Sequence, residues 1–269
     1  MTLSARDFWT LGDYSRIAAL IAAMGPALVR AADIGPGQHV LDVGAGTGNA
    51  TLPAAAAGAR VVGVDVAPEL MALGERDAAR QGLDVTWQAA DAQELPFPDG
   101  TFDVVLSAVG AMFAPDHEAT ARELLRVCRP GGTIAMANWT PDGEAGRYFA
   151  ILARYGPPRP GPAPTAWGDP AYVTRLLAPA TVTTERSHVR LAFAGGPAEV
   201  VAYYRAHFPP VMTTFAGLGD AQAARLEAEL VEHFAGEGAY DLEYLTVLAR
   251  TPVTSRRGLR QGASTGRPG

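Results

Sequence analysis

Three glycines and an acid carry the first chemistry legible in this chain. In "HVLDVGAGTGNATL", His39 to Leu52, an apolar run ends at Asp42, and Gly44, Gly46 and Gly48 then alternate with small residues. Without a Cβ such a loop turns tightly and lets a ligand approach the backbone. Its spacing narrows the ligand. A Walker loop needs Gly-Lys-Ser/Thr, and the chain contains no Lys. The dinucleotide fingerprint is G-x-G-x-x-G, whereas Asn49 stands at the third glycine's place here. Asp42 would repel a pyrophosphate, but it suits an ammonium group or donors that orient the loop.

Further acids follow at strand ends. Asp65 closes "VVGVDV", where a carboxylate can accept both hydroxyls of a ribose, a reading that fits NAD equally well. Asp91 follows "DVTWQAA", in place to accept from an adenine amino group. Pro130-Gly131-Gly132 predicts a tight turn into another strand.

These residues need a scaffold, and the apolar pattern supplies one. "HVLDV", "RVVGVDV", "DVTWQAA", "TFDVVLS" and "GGTIAMANW" read as strands, interleaved with helices over 49–57, 68–82 and 116–128. Pro68 and Gly82 bracket the second of these helices, and Asp116 can cap the third. Alternating strands and helices imply an α/β fold whose mostly parallel sheet is covered on both faces. Tyr14 to Ala32 is helical in pattern, with a break expected at Gly25-Pro26. Residues 155–170 hold six prolines and exclude regular helix or strand. Beyond them the pattern gives a short helix near 170–178, extended stretches at "TVTTE" and "HVRLAF", helices near 197–208 and 220–235, and a closing strand, "LEYLTVLAR". The expected organisation is a helical segment (1–34), a ligand-binding core (35–140), a substrate-covering region with an edge strand (141–240), a closing strand (241–250) and a disordered tail (251–269).

Composition bounds the function. Of 269 residues, 48% are hydrophobic, enough for a substantial core, and the formal net charge is −6. Four arginines fall in the last nineteen residues, so the body carries about −10, which disfavours nucleic acid as a partner. Cys128 is the single cysteine, excluding an intrachain disulfide and a thiolate metal site. No metal is expected, since the five histidines are scattered without ligand spacing. The first residues lack a signal-peptide pattern, and the longest apolar run near them, "IAALIAAM", is too short to cross a bilayer. A cytoplasmic location without a membrane partner is the expectation.

The set "VLDVGAGTGN", "GVDVAPEL", "DAQELPFPDGTFDVVLS" and "LLRVCRPGG", in this order over roughly residues 9–140, resembles the class I S-adenosylmethionine-dependent methyltransferases. It is most similar to their UbiE-like small-molecule branch, of methyltransferase domain 11 type. The resemblance implies a Rossmann-like, doubly wound sheet with a reversed edge strand, which "LEYLTVLAR" would supply, and a helical lid insertion. It implies S-adenosyl-L-methionine as cofactor and S-adenosyl-L-homocysteine as product. Gly44, Ala45 and Gly46 would give backbone contacts, with Asp42 beside the amino group and Asn49 closing the loop. Asp65 would take the ribose hydroxyls, Val66 would pack on adenine, and Asp91 with the Ala92 backbone would read the adenine edge. Ser107 would lie near the methionine moiety.

Methyl transfer needs alignment and exclusion of water more than a catalytic constellation, and a base only when the nucleophile keeps a proton of high pKa. His117, just past the fourth strand, is a candidate base; the competing reading is a first-turn helix residue facing solvent. Tyr14 is a candidate above the cofactor, or an ordinary helix-face tyrosine. His188, His207 and His233 read as structural or exposed. Trp9, Met112, Phe113, Trp139 and Trp167 are candidates to line an apolar pocket for a planar acceptor, against ordinary core packing. The expected function is methylation of a small organic acceptor at O, N or C. The alternative is a cofactor-binding protein with a regulatory, structural or cyclase-like role and no methyl transfer.

Overall fold

Pro68 opens a helix with its missing N–H where no intrahelical partner exists, and Gly82 ends that helix in the left-handed region (φ 67°). Asp116 starts another by accepting the Ala119 N–H at 2.9 Å. Such local signals delimit the elements of the computed structural model, which describes residues 3–157 and 161–253. In chain order they are α1 (Ala5–Trp9), α2 (Tyr14–Leu20), α3 (Met24–Ala31), β1 (His39–Val43), α4 (Thr51–Ala56), β2 (Arg60–Asp65), α5 (Pro68–Gln81), β3 (Val85–Ala89), β4 (Phe102–Ala108), α6 (His117–Val127), β5 (Cys128–Trp139), α7 (Glu144–Tyr155), α8 (Pro170–Leu176), β6 (Thr181–Arg190), α9 (Pro197–His207), α10 (Pro209–Ala216), α11 (Asp220–Ala235) and β7 (Asp241–Arg250).

The strands form one sheet in the order β3-β2-β1-β4-β5-β7-β6. β1 to β5 are mutually parallel. β7 is the reversed strand at the far side, antiparallel to β5 on one flank and to the outermost strand, β6, on the other. This is the Rossmann-like sheet with a reversed strand that the resemblance implies. Val40, Leu41, Val105, Leu106, Ile134 and Met136 are fully buried, so the central strands lie at the heart of the core. Parallel strands with both faces covered read as continuous apolar runs, which is why these were legible.

The structure differs from the pattern reading in three places. The break after α2 falls at residues 21–23, and Gly25-Pro26 lie in the first turn of α3, where proline is tolerated. Gly25 is needed there because a Cβ would stand 1.7 Å from the Asn49 carbonyl oxygen. "TVTTE" and "HVRLAF" belong largely to one strand, β6, whose polar, exposed residues hid its continuity. α10 was not anticipated, because its Pro209-Pro210 start reads as a breaker. The chain between β5 and β7 leaves the sheet twice: α7 and α8 lie between β5 and β6, then α9 to α11 between β6 and β7.

The tail expected to be disordered begins with Thr251, whose N–H donates to the Gly132 carbonyl at 3.1 Å. From residue 254 onward that expectation lies outside the described residues, as do residues 158–160 of the proline-rich stretch. No described helix is long and apolar enough to cross a membrane.

Candidate active site

The glycine loop is built on backbone contacts. Gly44 and Ala45 N–H both donate to the Val64 carbonyl at 2.9 Å, tying the loop to β2. Asp65 fixes the next bend: Oδ2 accepts the Gly46 N–H and Oδ1 accepts the Ala67 N–H, each at 2.9 Å. Two glycines then cross. A Cβ on Gly44 would stand 2.6 Å from Gly110 Cα, and one on Gly110 would stand 2.7 Å from the Gly44 oxygen. Gly44 is therefore a glycine because another backbone touches it. Gly46 differs: its φ is +52°, and nothing lies within 4 Å of where a Cβ would project.

Three polar side chains brace the loop. Asn49 Nδ2 donates to the Ala18 carbonyl at 2.9 Å, joining the loop to α2. Ser107 donates to the Val43 carbonyl at 2.7 Å and accepts the Ala111 N–H at 2.8 Å, locking the end of β4 to the end of β1. Asp42 is 1% exposed; its Oδ2 accepts from the Thr51 hydroxyl at 2.6 Å, and its Oδ1 is buried without a partner. Burial pushes the Asp42 carboxyl up to about 6, with the Thr51 hydrogen bond opposing and the nearby Asp65 charge adding to the rise.

A cleft opens at the carboxyl ends of β1 to β4. Its floor includes Gly44, Ala45, Gly46 and Asn49, with Asp65 and Val66 on one side and Asp91 and Ala92 further along. Ala5, Trp9, Tyr14, Ala18 and Ile21 form the opposite wall, from the N-terminal helices. An Arg6–Glu69 ion pair links α1 to α5 across it. Asp91 is exposed and engages the Gln93 N–H at 2.9 Å. These residues fit an adenosyl sulfonium amino acid. The half-buried Asp65 oxygens keep lone pairs for ribose hydroxyls, the Gly46 side leaves room for the ligand, and the unpartnered Asp42 Oδ1 lies behind the loop.

A second, smaller cavity adjoins the cleft and shares Tyr14, Ile21, Val109 and Phe113 with it. Its other walls include Trp139 of β5, Tyr148 and Phe149 of α7, Tyr204 and Phe208 at α9, and Phe234 of α11. Trp9, Tyr14 and Phe113 meet edge-on at the passage, with centroids 5.1 to 5.4 Å apart. Val109, at φ +53°, is a β-branched residue in the left-handed region, held by its N–H bond to the Ala137 carbonyl at 2.9 Å.

The structure thus gathers Gly44, Ala45, Gly46, Asn49, Asp65, Val66, Asp91, Ala92, Trp9, Tyr14 and Phe113 on the cleft, and Trp139 on the chamber. Asp42 and Ser107 lie behind the lining. Three candidates need correction. His117 is 3% exposed, lines neither cavity, bonds the Tyr172 hydroxyl at 2.9 Å through Nδ1 and packs on Trp167. It is buried and does not face solvent, and it lies off both cavities. α8 and the 3₁₀ turn at Pro164–Gly168 cover it, and nothing in the sequence of α6 announced them. Met112 and Trp167 are fully buried and also line neither cavity. Tyr14 reaches both cavities, and burial, with the Asp65 charge second, raises its phenol pKa.

Sequence reasoning missed Val109 and Gly110, and it missed Glu144, Tyr148 and His233 in the chamber. A second glycine just past β4 was the available signal for the first pair; the others sit on separate elements and carry no shared motif.

A methyltransferase domain family matches residues 41–136. The uncharacterized protein Rv1405c of Mycobacterium tuberculosis is 44% identical over 260 residues, covering 92% of this chain and 95% of that protein. A demethylmenaquinone methyltransferase of Thermus thermophilus is 42% identical over 106 residues, covering 39% of this chain and 48% of that protein. Among solved structures, the phosphoethanolamine N-methyltransferase 2 of Haemonchus contortus, in complex with phosphomonomethylethanolamine and S-adenosylhomocysteine, superposes with a TM-score of 0.59 at 18% identity, covering 93% of this chain and 61% of that one. The matched domain runs from β1 into β5, the strands whose ends carry the glycine loop and both acids. By that match, its full-length relative and its fold, the chain belongs to the class I S-adenosyl-L-methionine-dependent methyltransferases.

Proposed function

We propose that this methyltransferase acts on a small organic acceptor, through O, N or C, held in the aromatic chamber. The observation that carries this reading is the shared wall: the cleft and the chamber meet at Tyr14, Ile21, Val109 and Phe113. A nucleophile in one cavity can thereby face a methyl group in the other. The acidic body supports a small molecule over nucleic acid as acceptor.

In this reading Gly44, Ala45, Gly46 and Asn49 form the methionine cradle, Asp42 supports it, and Asp65 takes the ribose hydroxyls. Val66 packs on adenine, Asp91 and Ala92 meet its edge, and Ser107 sets the loop spacing. The cofactor supplies a methyl carbon made electrophilic by positive sulfur. The surrounding residues align the acceptor atom opposite that sulfur and exclude water. Trp9, Tyr14 and Phe113 do the excluding at the passage. Tyr14 can donate a hydrogen bond there, and no residue on the cleft is required to take a proton from an acceptor that ionises by itself.

Calorimetric titration with S-adenosylmethionine and S-adenosylhomocysteine tests the cofactor site. Asp65→Ala removes a charged acceptor, whose hydrogen bonds are worth about 1.5–3 kcal/mol, so binding should weaken at least ~10-fold. Unchanged affinity would remove Asp65 from the site. S-adenosylhomocysteine release across an acceptor panel, read by mass spectrometry, tests transfer. Cofactor binding without release would favour the non-methylating alternative.

A further inference from the structure

Asp91 is exposed, yet one residue holds its carboxylate with three contacts. The Gln93 backbone N–H donates to Asp91 Oδ1 at 2.9 Å, and the Gln93 side-chain Nε2 lies 3.0 Å from both Oδ1 and Oδ2. The other end of the same amide is engaged too: Gln93 Oε1 accepts the Asp116 N–H at 2.9 Å, where α6 begins. These partners fix the orientation of the amide. Only its nitrogen can donate to a carboxylate, and only its oxygen can accept from an N–H. An unrestrained aspartate turns about a broad, two-fold χ2 torsion, and Gln93 removes that freedom. Both residues line the cleft, as do Ala114 and Pro115, which lead into α6. The contacts leave a specific remainder. A carboxylate offers about four lone-pair positions. Gln93 occupies two on Oδ1 and one on Oδ2, so among the described residues one position, on Oδ2, is left for a ligand.

We propose that Gln93 is a positioning residue for base recognition: its side-chain amide clamps the Asp91 carboxylate between the end of β3 and the start of α6, so that one lone pair of Oδ2 is presented to the amino group of adenine. This rests on the reading of Asp91 as the group that meets the adenine edge, and it adds the residue that makes that contact selective. A fixed carboxylate accepts from an amino group and repels a ring carbonyl placed at the same point. A carboxylate free to turn can swing away from the carbonyl and let water or a neighbouring N–H take its place, so it discriminates less. A site built to hydrogen-bond one group rejects the analogue that lacks it only as far as its own polar atoms cannot rearrange. The competing role for Gln93 is closure of the turn at residues 91–94 alone, in which case its loss would weaken any ligand of the cleft without regard to the base.

The test titrates the full chain by calorimetry with S-adenosylhomocysteine and with S-inosylhomocysteine, whose base carries a carbonyl in place of the amino group. The wild type should favour S-adenosylhomocysteine about tenfold or more, the size expected when a hydrogen bond to a charged acceptor is exchanged for repulsion. Asp91→Ala should erase that preference. Gln93→Ala should cut it to about threefold or less, and so should Gln93→Glu. The glutamate keeps an oxygen for the Asp116 N–H and loses only the donor to Asp91, so it isolates the clamp from the tie to α6. Gln93 variants that weaken both ligands by the same factor assign the residue to turn closure and overturn the proposal. A preference that survives both Gln93 substitutions while Asp91→Ala erases it overturns the clamp alone. A wild type without preference, or a preference that survives Asp91→Ala, removes Asp91 from the adenine edge and the clamp with it. If Gln93→Ala fails to fold, Gln93→Glu decides.

Discussion

Gly46 and Gly110 are both glycines, yet a methyl group added to each should have different effects. At Gly46 an alanine side chain would meet no protein atom within 4 Å, so the penalty is conformational alone. Holding alanine at φ +52° costs about 1–2 kcal/mol, partly offset by the stiffer unfolded chain. Net destabilisation of about 1 kcal/mol should lower Tm by roughly 2–4 °C. The methyl would, however, point into open space beside the cleft lining. If the cofactor's methionine end fills that space, overpacking of about 1–3 kcal/mol falls on the complex only, and the Kd for S-adenosylhomocysteine should rise ~10- to 100-fold. At Gly110 the same methyl meets the Gly44 oxygen at 2.7 Å and the Val43 oxygen at 2.8 Å. Neither backbone can yield without moving the loop, so Gly110→Ala should lose more stability than Gly46→Ala as well as affinity. Thermal unfolding and calorimetry on both variants decide. A Gly46→Ala protein with a Kd within twofold of the wild type would refute the placement of the ligand against Gly46.

Other outcomes follow from named groups. The Asp42 carboxyl has a folded pKa of about 6, above its unfolded value, so its contribution is fully present below pH ~4 and is lost as pH rises through about 6. Asp42→Asn should therefore gain on the wild type by up to about 3 kcal/mol between pH 4 and 7 in urea titrations, and a pH-independent difference would contradict the burial argument. His117→Ala should cost about 2 kcal/mol of stability through the lost packing and its Tyr172 bond, with S-adenosylhomocysteine affinity unchanged; a selective loss of transfer in a stable variant would return it to the site. Asn49→Ala should weaken cofactor binding several-fold by freeing the loop from α2, measured by calorimetry, and no change would mean the loop holds its shape alone.

The glycine-loop cleft was legible because each of its residues follows a strand of one regular alternating pattern. The loop Gly44–Gly46, Asp65 at the end of β2 and Asp91 after β3 each follow a strand, and parallel strands deliver their carboxyl ends to one edge. The aromatic chamber was not. Tyr148, Tyr204 and His233 belong to α7, α9 and α11, whose relative placement depends on two excursions from the sheet that no local pattern sets. His233 looked like any histidine on a helix of mixed polarity. His117 misled for the converse reason: its neighbours in sequence point to the cleft, while α8, more than fifty residues later, seals it in. Trp167 and Met112 have the composition of pocket residues, and their burial depends on contacts made elsewhere.

The position of β7 bears on how the molecule assembles during translation. β6 is complete by Arg190, but its one sheet partner among the described residues, β7, begins only at Asp241. At ~5–20 residues per second the ribosome needs about 3–10 s to deliver that strand. Meanwhile β1 to β5 can pair among themselves, leaving the free edge of β5 open and β6 without a ladder. The cofactor half can thus mature first. The chamber, which needs Trp139 of β5, Phe234 of α11 and Leu242 of β7 together, can form only once Leu242 has emerged. An emerging chain held at that stage exposes an unpaired strand and an unclosed aromatic surface, which makes the interval the nascent protein's most exposed moment for mispairing and for chaperone capture.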